Sequence, residues 1–454
     1  MLRKNLRLTI VAVATLLTPV AAGAETLADA LVSAYRNSHL LEQNRATLRA
    51  ADEDVAQAVA KLRPVLQWTA EYEYQDSDQL ANSTRTASAT LGASMTLFDF
   101  GRNKLNIEMK KESVLATREG LRSVEQNVLL ATIQAYSDVK SASEQIAINQ
   151  NSVRVLGEEF KAANDRFDVG EVTKTDVSLS QAQLASARAS LAAAQGKLRA
   201  AREAYKAATG HYPGALAAFP KAPALPKTIE AARAIALRNH PGVKQLQHTV
   251  AVYDLGVDYA KANRMPTISG SLGLKNAEGG VESTSAKIQL NQTLYSGGAL
   301  ISGQRQAIAN DQAARAQLSQ AGVTVAQNVA NAWSAIEIAK AQISAYDQQV
   351  QAARTAYQGV KEEALLGART TLDVLSAEQD LLDAQAGRID AAATLQVAYY
   401  QLLSAMGLLT VDNLKLGIPT YDPAAYYNAV HNAPITLSPQ GKRLDRVLEA
   451  MGKK

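Results

Sequence analysis

The sequence predicts a mainly α-helical chain, written as two tandem repeats, whose few β-strands belong to a membrane barrel. Three observations carry this reading. The chain matches itself at a nearly constant offset, helical periodicity runs far beyond the width of a globular domain, and four short segments alternate apolar and polar residues. Each repeat reads as helix, two strands, very long helix, turn and helix.

Repetition decides the architecture. Between residues 26–66 and 228–268 an offset of 202 pairs Thr26 with Thr228, Ala34 with Ala236, Arg36-Asn37 with Arg238-Asn239, and Pro64 with Pro266. From residue 97 to 210 the offset is 197, pairing Gly101 with Gly298, Tyr136 with Trp333, Gly170 with Gly367, Asp176-Val177 with Asp373-Val374, and Gly210 with Gly407. The five residues lost between the two offsets fall in 67–96 against 269–293, as a shared backbone with one variable loop requires. Residues 25–210 therefore form the first repeat and 228–407 the second. Between them 211–227 is an irregular linker punctuated by Pro213, Pro220, Pro223 and Pro226. The tail 408–454, with Pro419, Pro423, Pro434 and Pro439, has no counterpart.

Residues 1–24 read as a secretory signal. Arg3, Lys4 and Arg7 precede the apolar run Leu8–Leu17, and Ala22-Gly23-Ala24 supplies small residues for cleavage. The run is too short for a transmembrane helix. The chain formally carries +4, so without those three charges it carries about +1, which leaves no electrostatic case for nucleic acid. The 454 residues contain no cysteine, which excludes disulfides, thiolate metal sites, thiol nucleophiles and a lipidated N-terminus.

Residues 65–74 place Leu66, Trp68, Ala70, Tyr72 and Tyr74 on one face and Gln67, Thr69, Glu71 and Glu73 on the other. The same alternation runs through about 87–97, 267–275 and 285–295, for example Leu91, Ala93, Met95 against Thr90, Ser94, Thr96. Segments of about 9–11 residues with this pattern match tilted outer-membrane strands, although half-buried hairpins of a soluble protein alternate too. Trp68, Tyr72, Tyr74, Phe98, Phe100 and Tyr295 would then form aromatic belts at the lipid interfaces. Four strands cannot close a barrel, and lipid does not tolerate open edges, so membrane-spanning strands require several chains to share one barrel.

No proline occurs from Gly101 to Pro213, and apolar residues recur at 3–4 spacing from Leu121 through Val139, Ile146, Val153 and Phe160 to Phe167. This predicts a coiled-coil helix over about 101–167, and its counterpart over about 298–365. At about 1.5 Å per residue the first would reach ~100 Å. Shorter helices over 40–63 and 173–208, laid end to end, would match one long helix, so each repeat supplies two staves. Three chains would give 12 strands and 12 staves. With axes ~10 Å apart the ring is ~38 Å across, leaving a bore of ~28 Å once one helix thickness of ~10 Å is removed.

These features resemble the TolC-type outer-membrane efflux family over essentially the whole mature chain. The most specific matches are the turns Arg166-Phe167-Asp168-Val169-Gly170 to Thr175-Asp176-Val177 and Leu366-Gly367-Ala368-Arg369 to Leu372-Asp373-Val374-Leu375. Next come the strand-to-helix handovers Leu97-Phe98-Asp99-Phe100-Gly101 and Leu294-Tyr295-Ser296-Gly297-Gly298. The short segment Tyr421-Asp422-Pro423 with Tyr426-Tyr427 is similar to the tail of members associated with type I secretion. The resemblance implies a homotrimer: a 12-stranded barrel in outer-membrane lipid, continued by a 12-stave helical tube across the periplasm, with linker and tail as an equatorial band. Implied partners are a periplasmic adaptor (membrane fusion) protein and an inner-membrane pump or ABC transporter. The implied function is a passive exit duct with a gated tip.

For the tips, the residues and the resemblance give two readings. Thr173-x-x-Asp176 and Thr370-x-x-Asp373 are capping boxes at helix starts, where an acid also suits the helix dipole. By resemblance Asp373 is an aperture carboxylate, tripled in a trimer, and Arg369 a basic residue holding the tip closed, with Asp176 in the same gate. The family's second ring acid falls on Ser376 and its gate tyrosine on Ala364. Gly170 and Gly367 read as left-handed helix ends, and Val169, Gly170, Leu366 and Gly367 as the adaptor-docking turns.

Nothing points to catalysis or to a cofactor. His39, His211, His240, His248 and His431 form no metal-ligand spacing, and there is neither a G-x-S-x-G elbow nor a phosphate-binding loop. The competing reading is a periplasmic coiled-coil scaffold or tether whose hairpins merely pack on themselves.

Overall fold

A computed structural model describes residues 24–75, 84–278 and 280–452. The expected signal segment, apart from Ala24, and the centre of the first strand-to-strand link lie outside the described residues. The order is α1 (Leu27–Asn37), α2 (His39–Ala60), β1 (Val65–Gln75), β2 (Thr84–Phe98), α3 (Arg102–Asp168) and α4 (Lys174–Thr209). The second repeat follows as α5 (Ile229–Asn239), α6 (Pro241–Ala262), β3 (Thr267–Ala277), β4 (Val281–Asn291), α7 (Ala299–Leu365) and α8 (Thr371–Ala405), and the tail adds α9 (Ala425–Val430) and α10 (Pro439–Gly452). Among the described residues no helix is apolar enough over sufficient length to cross a membrane.

Both long helices have 67 residues, as the proline-free periodicity requires. Each starts after a glycine in the left-handed region, Gly101 at φ 84° and Gly298 at φ 89°, where a side chain would be strained. The opening helix of each repeat differs from expectation: it is two helices, not one. Ser38 leaves the helical region at ψ 109°, and its hydroxyl accepts from the Leu41 amide at 3.3 Å. In the second repeat His240 Nδ1 accepts from the Gly242 amide at 3.1 Å, and Pro241 occupies the first helical position, where its missing N–H costs nothing.

The helices form a layer with a definite order. α3 packs on α2 and α4 on one side and on α6 and α8 on the other, while α7 packs on α5, α6 and α8. α2 and α4, with 22 and 36 residues, run along α3 as two pieces of one stave. Within one chain, α2 with α4 and α7 therefore stand at the two ends of the layer.

The sheet repeats that order. Its four antiparallel strands run β1-β2-β3-β4, and the β2–β3 pairing joins the two repeats. Registers align the alternating faces across all four strands: Leu66, Ala93, Leu272 and Ala286 form one row, Trp68, Leu91 and Leu274 the next, and Ile268 meets Leu290. On the opposite face Thr69, Thr90, Lys275 and Ser283 stand in line. A one-residue slip would mix these faces. β4 stops at Asn291, short of the expected 295. Its partner β3 begins at Thr267, directly after Pro266, so residues beyond Asn291 have no ladder to continue. The sheet is open, with β1 and β4 as its edges.

Between sheet and helical tips lies the main core, built from α1 to α8 and the start of the tail around Tyr136 and Tyr205. Tyr136 donates to the carbonyls of Ala217 in the linker, at 2.9 Å, and Glu25, at 3.2 Å. The tail returns to the first repeat: Glu125 accepts from the Val411 amide at 2.8 Å, Tyr35 from the Tyr421 amide at 3.1 Å, and Glu53 from the Tyr426 hydroxyl at 2.7 Å.

Candidate functional site

The two helical turns farthest from the sheet lie side by side. α3 ends at Asp168 and turns through Gly170 at φ 82°, and α7 ends at Leu365 and turns through Gly367 at φ 75°. Both close with the amide pattern of a left-handed cap: Glu171 donates to Arg166 and Ala368 to Glu363, each at 2.9 Å. Each following helix opens with a capping box. Thr173 Oγ1 accepts from the Asp176 amide at 3.3 Å while Asp176 Oδ2 accepts from the Thr173 amide at 2.9 Å. Thr370 and Asp373 repeat this at 3.2 and 3.0 Å. Hydrogen bonds from the threonine hydroxyl and amide hold the Asp176 carboxyl below the ordinary carboxylate range. The Thr370 amide and hydroxyl, with some help from Arg369, do the same for Asp373. Both acids stay ionised at any physiological pH, and both sit at the positive end of a helix.

The remaining tip residues fall as follows. Arg369 pairs with Glu363 at 2.8 Å, not with Asp373, which it faces only as a distant charge. Arg369, Asp176 and Ala364 line a cleft of about 820 Å³ between the two turns, together with Thr173, Thr370 and Lys361. Asp373 and Ser376 are not among its lining residues, so the four expected gate residues divide into two sets. Val169 and Leu366 are 71 and 86% exposed, and Phe167, Leu365 and Leu372 beside them are exposed too, so the tips present apolar surface to their surroundings.

Two features of this region are not marked by any local motif. Lys361 of α7 pairs with Glu159 of α3 at 2.6 Å, a link between positions 202 apart. Glu378 of α8 is buried between α8 and α3, in line with Val374 and Leu375. A charged residue spaced three after a leucine and four after a valine is the signal that could have marked it.

At the other end, the aromatic side chains fall into three places. Tyr72 and Tyr74 lie toward the loop end of the sheet, opposite Ala87 and Arg85. Phe98 and Phe100, with ring centroids 4.7 Å apart and edge-on, lie at the helical end. Tyr295 is at that end too, 88% exposed and beyond β4 rather than within it. Trp68 stands between, opposite Leu91. The row of exposed apolar residues between the aromatic groups has no cover among the described residues: Leu66, Trp68, Leu272, Ile288 and Leu290 are all exposed.

The sequence profile of the outer membrane efflux protein family matches residues 30–211 and 233–408. The chain belongs to that family. It is 33% identical over 425 residues to the outer membrane efflux protein BepC of Brucella suis biovar 1 (strain 1330), covering 92% of each chain. It is 27% identical over 346 residues to the alkaline protease secretion protein AprF of Pseudomonas aeruginosa, covering 72% of this chain and 71% of AprF. The fold is that of the Campylobacter jejuni CmeC outer membrane channel, with a TM-score of 0.76 at 15% identity over 91% of this chain and 90% of CmeC. The resemblance of the chain to the TolC-type family is therefore a true kinship. Members of the outer membrane efflux protein family are channel proteins rather than enzymes, and the chain is an outer-membrane protein that extends into the periplasm. That disfavours the scaffold reading.

Proposed function

We propose that three copies of this chain close into one duct through the outer membrane and periplasm, the exit channel of a tripartite efflux pump or type I secretion system. One observation carries this: the sheet and the helical layer are open at the same two edges, β1 with α2 and α4 on one side and β4 with α7 on the other. An uncovered apolar face is costly in water, and an unpartnered strand edge beside it is costly in lipid. A neighbouring copy that sets its β1 against β4 and its α2 and α4 against α7 satisfies both at once. The apolar face then meets lipid and the row Thr69, Thr90, Lys275 and Ser283 lines water. The aromatic residues Trp68, Tyr72, Tyr74, Phe98, Phe100 and Tyr295 serve the two lipid interfaces.

In this reading residues 211–227 and 408–454 band the tube at its equator. At the tips the Asp373 carboxylates, tripled, attract cations at the narrowest ring, and Arg369, Asp176 and Ser376 share the gate. The exposed turns Val169-Gly170 and Leu366-Gly367 receive a periplasmic adaptor, which couples the duct to an inner-membrane pump or ABC transporter. No residue here supplies energy; the duct is passive. The test is reconstitution in planar bilayers. A duct runs as an SDS-resistant trimer from outer membranes and conducts ions, and isolation as a soluble periplasmic monomer ends the proposal.

A further inference from the structure

Glu378 differs from every other acid at the tips. It is 7% exposed, and its Oε2 meets no hydrogen-bond partner among the described residues. It lies on the face of α8 that also carries Val374 and Leu375, against the stretch of α3 around the buried Ser152. The same seam holds the apolar cluster Leu156, Leu184, Ala187 and Leu375, so α3, α4 and α8 meet there. The charges that reach it come from α3, as Glu159 and Arg154, and from α7, as Lys361, with the Tyr357 phenol of α7 also in range. Arg154 is already held by Glu158 at 2.8 Å and Lys361 by Glu159 at 2.6 Å. From α4 the nearby polar contact is uncharged, Gln183 to Gln379 at 3.1 Å. An ionised Glu378 would therefore stand in an apolar seam with no cation of its own.

We infer that Glu378 is a proton-operated latch between the two tip hairpins: protonated, it lets α8 lie against α3; ionised, it forces the seam to admit water and the hairpins to part. Burial pushes its carboxyl up to about 7, against the pull of the Ser152 hydroxyl, with the Glu159 charge adding to the rise. The sign follows from linkage. The closed seam binds the proton more tightly than an open, hydrated one, so closure is favoured at low pH and lost as pH rises through neutrality. The cleft lined by Glu159, Lys361, Val374 and Leu375 gives protons and water their route. The geometry belongs to the single chain; its meaning as control of a channel rests on the duct reading above.

The test uses the full chain in lipid vesicles, with spin labels at the exposed Asp165 of α3 and Asp380 of α8, alongside conductance in planar bilayers. In the wild type the label separation and the conductance should rise together between pH 6 and 8, the ratio of ionised to protonated Glu378 changing about tenfold per unit. Glu378→Gln should hold both at their low-pH values across the range. Ser152→Ala, which removes the hydroxyl favouring the charged form, should move the transition to higher pH, and it serves if the Gln variant fails to assemble. A wild type with no transition, or a transition unchanged in Glu378→Gln and Ser152→Ala, overturns the latch. Label movement without conductance would instead overturn the duct and leave the latch standing.

Discussion

Replacing Leu91 with arginine separates a membrane-facing sheet from an ordinary one. Along β2, Phe98 marks the aromatic group at the helical end and Ala87 the position opposite Tyr72 at the loop end. At about 3.3 Å per residue the intervening strand is ~36 Å long. Tilted by ~40°, it spans ~28 Å across a bilayer, close to the ~25 Å apolar band of outer-membrane barrels. Leu91 lies near its middle, on the apolar face between Trp68 and Leu274. An arginine there costs roughly 2–4 kcal/mol per chain, or about two decades in the folding equilibrium. Its neighbour Thr90 points to the opposite face, between Thr69 and Lys275. Thr90→Arg meets only water and the like charge of Lys275, below about 1 kcal/mol. Urea unfolding in phospholipid vesicles, with the SDS-resistant fraction as a second readout, should show a large loss for Leu91→Arg and a small one for Thr90→Arg. Equal losses, or a greater loss for Thr90→Arg, would refute the assignment of faces.

The tips supply the other predictions. Asp373→Asn should weaken block of the channel by multivalent cations in bilayer recordings, and unchanged block removes Asp373 from the aperture. Because its hydrogen bonds from Thr370 depress the Asp373 pKa, the block should persist from neutral pH down through the ordinary carboxylate range, whereas the cap's contribution is full above that range and is lost as pH falls through it toward the depressed pKa. Thr370→Ala removes the acceptor of the Asp373 amide and should cost about 1 kcal/mol, read as roughly fivefold faster hydrogen exchange in the first turn of α8.

Much of this architecture was legible because the signals are local and repeated. An unbroken run without proline fixes a long helix whatever surrounds it, and strict alternation from Leu66 to Tyr74 fixes a strand and its faces. The capping boxes were legible for the same reason, as Thr and Asp stand three apart. The rest depends on partners distant in sequence. Ser38 breaks the first helix through one hydroxyl, a small signal inside a periodic pattern. The end of β4 is set by where β3 begins. The tail helix α9 is placed by Tyr421 and Tyr426 reaching Tyr35 and Glu53. Glu378 and the Lys361–Glu159 pair exist only once α3, α7 and α8 are side by side, and a glutamate in a helix otherwise reads as a solvated one.

The β2–β3 ladder, where the first repeat meets the second, has a consequence for assembly. It is a rehearsal, inside one molecule, of the joint that β4 would make with β1 of a neighbour. The two kinds of joint use homologous surfaces but differ in molecularity. Equivalent substitutions placed 197 residues apart on α3 and α7 would thus injure the same contact twice over, once in a form blind to dilution and once in a form that dilution makes worse.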